Sequence, residues 1–258
     1  MDTFQAIWDE YVKNHKAALE AVAAKYQAMG FDSHSFVKYF NAEAQIREKL
    51  RFAELLGLTR SRDKFCLDIG CGMGWMSYVA KALGHKIVLA DLPLSFGVSI
   101  EAYNAGINAL GMGIRTFDMV VRRQTPAQFP YLSEREVKEG YEHKYDIITA
   151  TGTCFEKKWT ADDWAFFLAD LIDNHLNPGG KIFLQLNITP GGYEAIKHFN
   201  FAALPKIKTA EWVEEQAVVI TTQNTSSFPA GVCPVCLATS FENGGHFPGC
   251  VLAKKGAE

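Results

Sequence analysis

The segment that decides the fold is Leu67-Asp68-Ile69-Gly70-Cys71-Gly72-Met73-Gly74-Trp75. It continues the short apolar stretch at 65–69, which is typical of a strand, and it leads into a helical pattern at 74–83. Glycines between a strand and a helix let the backbone turn sharply and approach a ligand at the positive end of the helix dipole. The segment therefore predicts a ligand-binding turn at one edge of a sheet.

The glycine spacing separates two classes of nucleotide-containing ligand. A dinucleotide fingerprint has the pattern G-x-G-x-x-G, whose third glycine lets the helix pack closely on the strand. Here the glycines stand at 70, 72 and 74, and Trp75 occupies the position of that third glycine. An NAD-dependent oxidoreductase on the same fold is therefore an alternative that the spacing disfavours.

The segment resembles the D/E-x-G-x-G-x-G motif of class I S-adenosylmethionine-dependent methyltransferases, which Asp68, Gly70, Gly72 and Gly74 match. The resemblance implies that the glycine loop, including the backbone of Cys71, passes under the methionyl part of the cofactor. It also implies that Asp68 lies near the cofactor's amino group. An acidic entry to the loop suits a ligand with an ammonium and a sulfonium better than a pyrophosphate.

Further cofactor-binding positions follow from the same resemblance. Asp91 stands 21 residues after Gly70 at the end of a strand pattern, where a carboxylate can accept hydrogen bonds from both ribose hydroxyls. The resemblance places the next residue against the adenine ring and an acid at the end of the following strand on the adenine amino group. The expected set is completed by Leu92, Asp118, Met119 and Thr151.

Strand and helix patterns alternate along the middle of the chain, which indicates βαβ units. Together with the resemblance, this predicts an α/β, Rossmann-like fold with a mostly parallel seven-stranded sheet and helices on both faces. The strand patterns lie at 65–69, 86–90, 114–117, 145–150, 181–186 and 217–222, and the helical patterns at 74–83, 97–110 and 161–175.

The two ends of the chain differ from this middle part. Apolar residues at helical spacing predict one long helix over 1–30 and a second over 35–56, which together would form an N-terminal helical cap and part of a lid. The predicted organisation is a cap over 1–60, an S-adenosylmethionine-binding methyltransferase domain over 61–223, and a Cys/His-containing C-terminal tail over 224–258.

The tail contains four potential metal ligands, Cys233, Cys236, His246 and Cys250. Three thiolates and an imidazole can complete a tetrahedral zinc site, and a structural zinc ion would order a segment that has few large apolar residues. The spacing matches no standard zinc finger. A redox-active cysteine pair, a disulfide and unlinked thiols remain alternatives.

The residues do not identify the methyl acceptor, and the catalytic residues remain unassigned. Glu156 and His198 are candidate general bases, because they lie near the predicted carboxyl edge of the sheet. Cys154 is a weaker candidate as a nucleophile, since no base is placed beside it. A non-catalytic protein that binds S-adenosylmethionine and interacts through its tail is a further alternative.

Composition sets expectations about partners and location. The chain has 258 residues, a formal net charge of −3 and a pI of about 6.2. Without a clustered basic face, the expected acceptor is a small molecule, lipid or glycan precursor, and nucleic acid is excluded. The absence of a long apolar run or a signal-peptide pattern predicts a cytoplasmic protein. The sequence does not indicate an oligomeric state.

Overall fold

The computed structural model describes residues 2–31, 37–90, 100–112, 144–153, 157–188 and 191–224. The chain divides into two compact units. The first contains residues 1–122 and 147–153, and the second contains residues 123–146 and 154–258. Each unit has its own strands and helices. The predicted division into cap, central domain and tail stays a prediction.

Three parallel strands form the sheet of the first unit. They are β1 (Phe65–Ile69), β2 (Lys86–Ala90) and β3 (Tyr145–Thr153), in the order β2-β1-β3. Asp68 is in register with Leu89 of β2 and with Thr149 of β3. Since all three strands run the same way, their carboxyl ends meet at one edge, as the alternating pattern predicts.

Five helices accompany these strands in the described part of the first unit. A 3₁₀ turn at Lys38–Phe40 precedes the third, and another at Leu58–Arg60 follows it. The helices are α1 (Thr3–Asn14), α2 (Lys16–Ala28), α3 (Ala42–Leu56), α4 (Trp75–Ala82) and α5 (Ile100–Ala109). The helix α3 packs on α1 and on α4, and α4 packs against β2.

The prediction of one continuous helix over 1–30 is wrong, because the helix breaks at His15. The backbone φ of His15 is −129°, and its ring Nδ1 lies 3.0 Å from the carbonyl oxygen of Ala109 on α5. The predicted second helix also starts later, at Ala42, where the side chain of Asn41 accepts a hydrogen bond from the Ala44 amide at 3.2 Å. A side-chain cap of this kind sets the first residue of a helix.

An aromatic cluster joins α1 to α4. The ring of Tyr11 lies 5.8 Å from that of Trp75 and 6.5 Å from that of Tyr78. The Tyr78 hydroxyl donates to the Glu10 carboxylate. Burial, with the Glu10 carboxylate beside it, raises the pKa of Tyr78. Partial burial acts against ionisation of Glu10, but hydrogen bonds led by the one from Tyr78 outweigh it and lower the pKa of Glu10.

Antiparallel strands form the sheet of the second unit. They are β4 (Leu176–Leu186), β5 (Ile207–Glu214) and β6 (Ala217–Thr222), in the order β4-β6-β5. The helices of this unit, as far as it is described, are α6 (Ala161–Asp170), a π turn at Leu171–His175, α7 (Gly192–Lys197) and a 3₁₀ turn at Phe201–Ala203. A capping box formed by Thr160 and Asp163 begins α6.

Of the predicted mostly parallel sheet, the described residues show a mixed set of six strands. The strands β1, β2 and β3 pair in parallel, whereas β6 runs antiparallel to both β4 and β5. The strand predicted at 114–117 lies outside the described residues. A seventh strand stays a prediction. Residues 177–180 belong to β4, where the Gly179 amide donates to the Gln223 carbonyl at 2.8 Å. Neither β5 nor α7 was predicted from the sequence pattern.

The core of the second unit is built around Trp164. Its indole nitrogen donates to the Gly192 carbonyl at 2.7 Å, which ties α6 to α7. The rings of Trp159 and Phe167 pack against it at 4.8 and 5.9 Å. Full burial of these rings supplies much of the hydrophobic stabilisation of this unit. Trp159 is therefore a packing residue of this core.

Among the helices that the structure describes, none combines the length and the apolar character that a membrane span requires.

We expect Tyr78→Phe to lower the free energy of unfolding by about 1 kcal/mol, because the Glu10 carboxylate that loses its donor is partly exposed and screened. Urea denaturation at neutral pH measures this loss. Tyr11→Phe is the matched control, since it removes a hydroxyl from the same cluster but leaves the bond to Glu10 intact. Equal losses in the two variants would contradict a specific role for that bond.

Candidate functional site

Asp68 is a buried carboxylate at the centre of the first unit's sheet. Only 1% of its surface is exposed. Its Oδ2 accepts a hydrogen bond from the Ser77 hydroxyl at 2.9 Å, and its Oδ1 accepts one from the Thr149 hydroxyl at 2.8 Å. These bonds join β1 to α4 on one side and to β3 on the other. A buried charge needs such donors, so Asp68 braces the start of the glycine loop.

The glycine loop has a backbone that other residues would rarely adopt. Gly70, Gly72 and Gly74 have φ values of +67°, +53° and +78°. The Gly74 amide donates to the Cys71 carbonyl at 2.7 Å, which closes the turn immediately before α4. Positive φ at three alternate positions explains why the motif contains glycines. It also directs the chain from the end of β1 into α4 within a few residues.

Close packing adds a second constraint on two of these glycines. A Cβ on Gly74 would lie 2.7 Å from Met112 Cε and 2.9 Å from Leu89 Cδ2. A Cβ on Gly72 would lie 3.2 Å from the hydroxyl of Tyr39. Gly74 therefore allows the loop to pack on the core, while Gly72 lies against a tyrosine of the N-terminal segment.

The structure describes six of the predicted cofactor-binding residues, and five of them lie at the carboxyl end of β1. Asp68 is in β1 itself, and Gly70, Cys71, Gly72 and Gly74 are in the loop that follows it. The Cys71 side chain is buried, with its sulfur 3.8 Å from the Gly72 carbonyl.

The sixth residue, Thr151, lies inside β3, which continues to Thr153 and not to residue 150 as predicted. Thr151 is half-buried and lies two residues from Thr149 on the same strand. Cofactor contacts of all six residues stay predictions.

The other predicted site residues lie outside the described residues. These are Asp91, Leu92, Asp118 and Met119 for the cofactor, and Cys233, Cys236, His246 and Cys250 for zinc. In the part of the chain that is described, no group of three or more His, Cys, Asp or Glu side chains could hold a metal ion. The zinc site stays a prediction from the spacing of the tail.

Of the candidate bases, the structure describes only His198. Its side chain is 78% exposed, and its Nε2 lies 3.7 Å from a Glu194 carboxylate oxygen at the end of α7. An exposed imidazole beside a carboxylate on the same helix is an ordinary surface pair. Glu156 and Cys154 lie outside the described residues, so catalytic residues remain unassigned.

Three residues that shape the loop are not predicted from the sequence: Tyr39, Ser77 and Thr149. A signal for two of them is present, because Ser77 and Thr149 are polar residues with an apolar residue on each side. A buried hydroxyl requires a partner, and the nearest buried acid in the motif is Asp68. Tyr39 gives no such signal, since only tertiary packing brings it to Gly72.

Comparisons with known proteins give matches among solved structures. No protein-family model matches the sequence, and no curated protein matches it significantly. A ribosomal protein L11 methylase from Lactobacillus delbrueckii subsp. bulgaricus is 16% identical, with a TM-score of 0.41, over 68% of this chain and 79% of that one. The name of that protein describes a methyltransferase.

Two further matches have names of the same kind. The 16S rRNA N2 G1207 methyltransferase RsmC from T. thermophilus, in complex with AdoMet and guanosine, is 18% identical with a TM-score of 0.42. That match covers 71% of this chain but only 43% of the RsmC chain. An O-methyltransferase family protein from Burkholderia thailandensis is 10% identical with a TM-score of 0.41, over 78% of this chain and 64% of that one.

The exclusion of nucleic acid is contradicted by these matches, which include an rRNA methyltransferase and a ribosomal protein methylase. The exclusion rested on the net charge of −3, the pI of about 6.2 and the lack of a clustered basic stretch in the sequence. Neither a summed charge nor clustering along the sequence describes the charge of one face, because basic residues that are distant along the chain can meet on a surface. The prediction that nucleic acid is excluded is therefore wrong.

We expect Thr149→Val to lower the free energy of unfolding by about 1–3 kcal/mol, because it leaves one oxygen of the buried Asp68 carboxylate without its hydroxyl donor. Ser77→Ala should have a loss of similar size for the same reason. Thr151→Val, at a half-buried position on the same strand, is the matched control and should change stability less. Denaturant unfolding of the three variants measures the losses, and an unaffected Thr149→Val would remove the bracing role.

Gly74→Ala should lower stability by about 2–4 kcal/mol, the sum of left-handed backbone strain and overpacking against Met112 and Leu89. Gly30→Ala separates the contribution of backbone strain from that of overpacking. Gly30 has a φ of +85° but has nothing within 4 Å of an added Cβ, so it should lose only about 1 kcal/mol from strain. Thermal or urea unfolding measures both variants. Similar losses would show that packing around Gly74 contributes little.

Proposed function

We propose that the chain is an enzyme that transfers a methyl group from S-adenosylmethionine to an acceptor. The observation that carries the proposal is the braced glycine loop: three glycines with positive φ follow a strand whose buried aspartate is hydrogen-bonded from both sides. The loop combines a backbone that a ligand can approach closely with an acidic entry. Both features suit the amino-acid part of this cofactor.

The first residue of α4 supports this donor over a dinucleotide. The third glycine of a dinucleotide fingerprint allows the helix to lie close to the strand. In this chain the position holds Trp75, which is 2% exposed and donates from its indole nitrogen to the Tyr39 carbonyl at 2.8 Å. A large side chain therefore stands where such a fingerprint needs a glycine. The indole anchors Tyr39 of the N-terminal segment to the start of α4.

S-adenosylmethionine, when bound, supplies an electrophilic methyl group on a sulfonium. The loop of Gly70, Gly72 and Gly74 would hold the amino-acid part of this cofactor. The methyl group would be supplied to a lone pair of the acceptor, and the electron pair of the former carbon–sulfur bond would stay on sulfur. The acceptor loses a proton to a base or to water. The chain's contribution at the described residues is to bind and orient, which can supply effective molarities on the order of 10⁵–10⁸ M.

Calorimetry tests the choice of cofactor. Wild-type protein should bind S-adenosylhomocysteine, the demethylated product, and should not bind NAD. Asp91→Ala should weaken S-adenosylhomocysteine binding by about 1.5–3 kcal/mol, because it removes an acceptor for the ribose hydroxyls. Asp162→Ala, at an exposed position in the first turn of α6, is the matched control and should not change the affinity. Binding of NAD in place of S-adenosylhomocysteine would refute the proposal.

The same preparation tests for methyl transfer. Protein with isotopically labelled S-adenosylmethionine is incubated with separate RNA, protein and small-molecule fractions. Label should enter one of these fractions and stay absent when S-adenosylhomocysteine is in excess. Cofactor binding without transfer to any fraction would favour a non-catalytic binding protein.

A further inference from the structure

Tyr39, which no sequence pattern singles out, lies directly against the glycine loop. Its hydroxyl would be 3.2 Å, and its Cζ 3.4 Å, from a Cβ built on Gly72. Gly72 lies between the carboxyl end of β1 and the start of α4, at the edge of the sheet where ligands of open α/β folds bind. The hydroxyl of Tyr39 is therefore at the ligand edge of the first unit.

Three contacts hold Tyr39 in this position. Its carbonyl accepts the 2.8 Å hydrogen bond from the Trp75 indole. Its ring meets the ring of Tyr103 on α5 edge-on, with centroids 5.8 Å apart. The ammonium of Lys38 lies over the ring, 5.1 Å from its centroid. The backbone of Tyr39 is thus held by α4 and its ring by α5, and a residue held in place in this way loses little entropy when a ligand binds to it.

The charges around the loop differ between its two sides. Asp68 introduces negative charge at the entry of the loop, whereas Lys38 brings positive charge to the ring of Tyr39. A tyrosine hydroxyl is neutral near pH 7 and can donate a hydrogen bond. The side of Tyr39 therefore favours an anionic group, and the side of Asp68 favours a cationic one.

We propose that Tyr39 is a cofactor-binding residue, whose hydroxyl donates a hydrogen bond to the carboxylate of the cofactor's methionyl part. This inference rests on the proposed function, because it assigns one more residue to the same site. It makes the N-terminal segment a part of the cofactor site through a single side chain. It also explains the glycine at position 72, where a side chain would displace the hydroxyl.

The test compares two ligands that differ at the methionyl end. S-adenosylhomocysteine has the amino-acid part, and 5′-methylthioadenosine lacks it. Tyr39→Phe removes only the hydroxyl and keeps the ring and the carbonyl that accepts from Trp75. The variant should bind S-adenosylhomocysteine about tenfold or more weakly, the effect of a lost hydrogen bond to a charged group. Its affinity for 5′-methylthioadenosine should not change.

Tyr26→Phe, a change at a buried tyrosine of α2 that packs edge-on against Phe31, is the matched control and should leave both affinities unchanged. An unchanged melting temperature without ligand confirms that Tyr39→Phe is folded. An unaltered affinity for S-adenosylhomocysteine in Tyr39→Phe overturns the inference, and so does an equal loss for both ligands. Failure of wild-type protein to bind either ligand refutes the proposed function itself.

Discussion

The first unit depends on the hydrogen bonds that the buried carboxylate of Asp68 accepts. A charge that is 1% exposed is stable only when donors surround it, and here the hydroxyls of Ser77 and Thr149 come from two different elements. The three groups fix the end of β1 relative to α4 and β3 at the same time. The loop between them therefore has a defined shape before any ligand arrives, which lowers the entropy that binding would cost.

The N-terminal helices extend this arrangement outward. Tyr11 on α1 contacts the indole of Trp75, and that indole in turn holds the carbonyl of Tyr39. Trp75, at the start of α4, thus connects α1 to the segment that contains Tyr39.

The second unit has a separate basis for its stability. Its strands are antiparallel, and its helices are joined by Trp164, whose ring is fully buried and whose indole nitrogen donates to the Gly192 carbonyl. Asp173 illustrates the cost of charge in this unit: burial raises the pKa of Asp173, while the 2.8 Å contact with Lys206 acts in the opposite direction.

The sequence by itself determined the glycine loop, the strand–helix–strand alternation around it and the carboxylate at its entry. Those signals are local, because glycine spacing and apolar periodicity depend on residues a few positions apart. The tertiary structure decided the break at His15, which bonds to a carbonyl 94 residues away, the antiparallel pairing of β4, β6 and β5, and the partners of Asp68. The contact between Tyr39 and Gly72 is of the same kind. Apart from the pairing of β5 with β6, such contacts join segments that are distant along the chain, and the energy of a hydrogen bond or a packed ring exists only once both partners are in place.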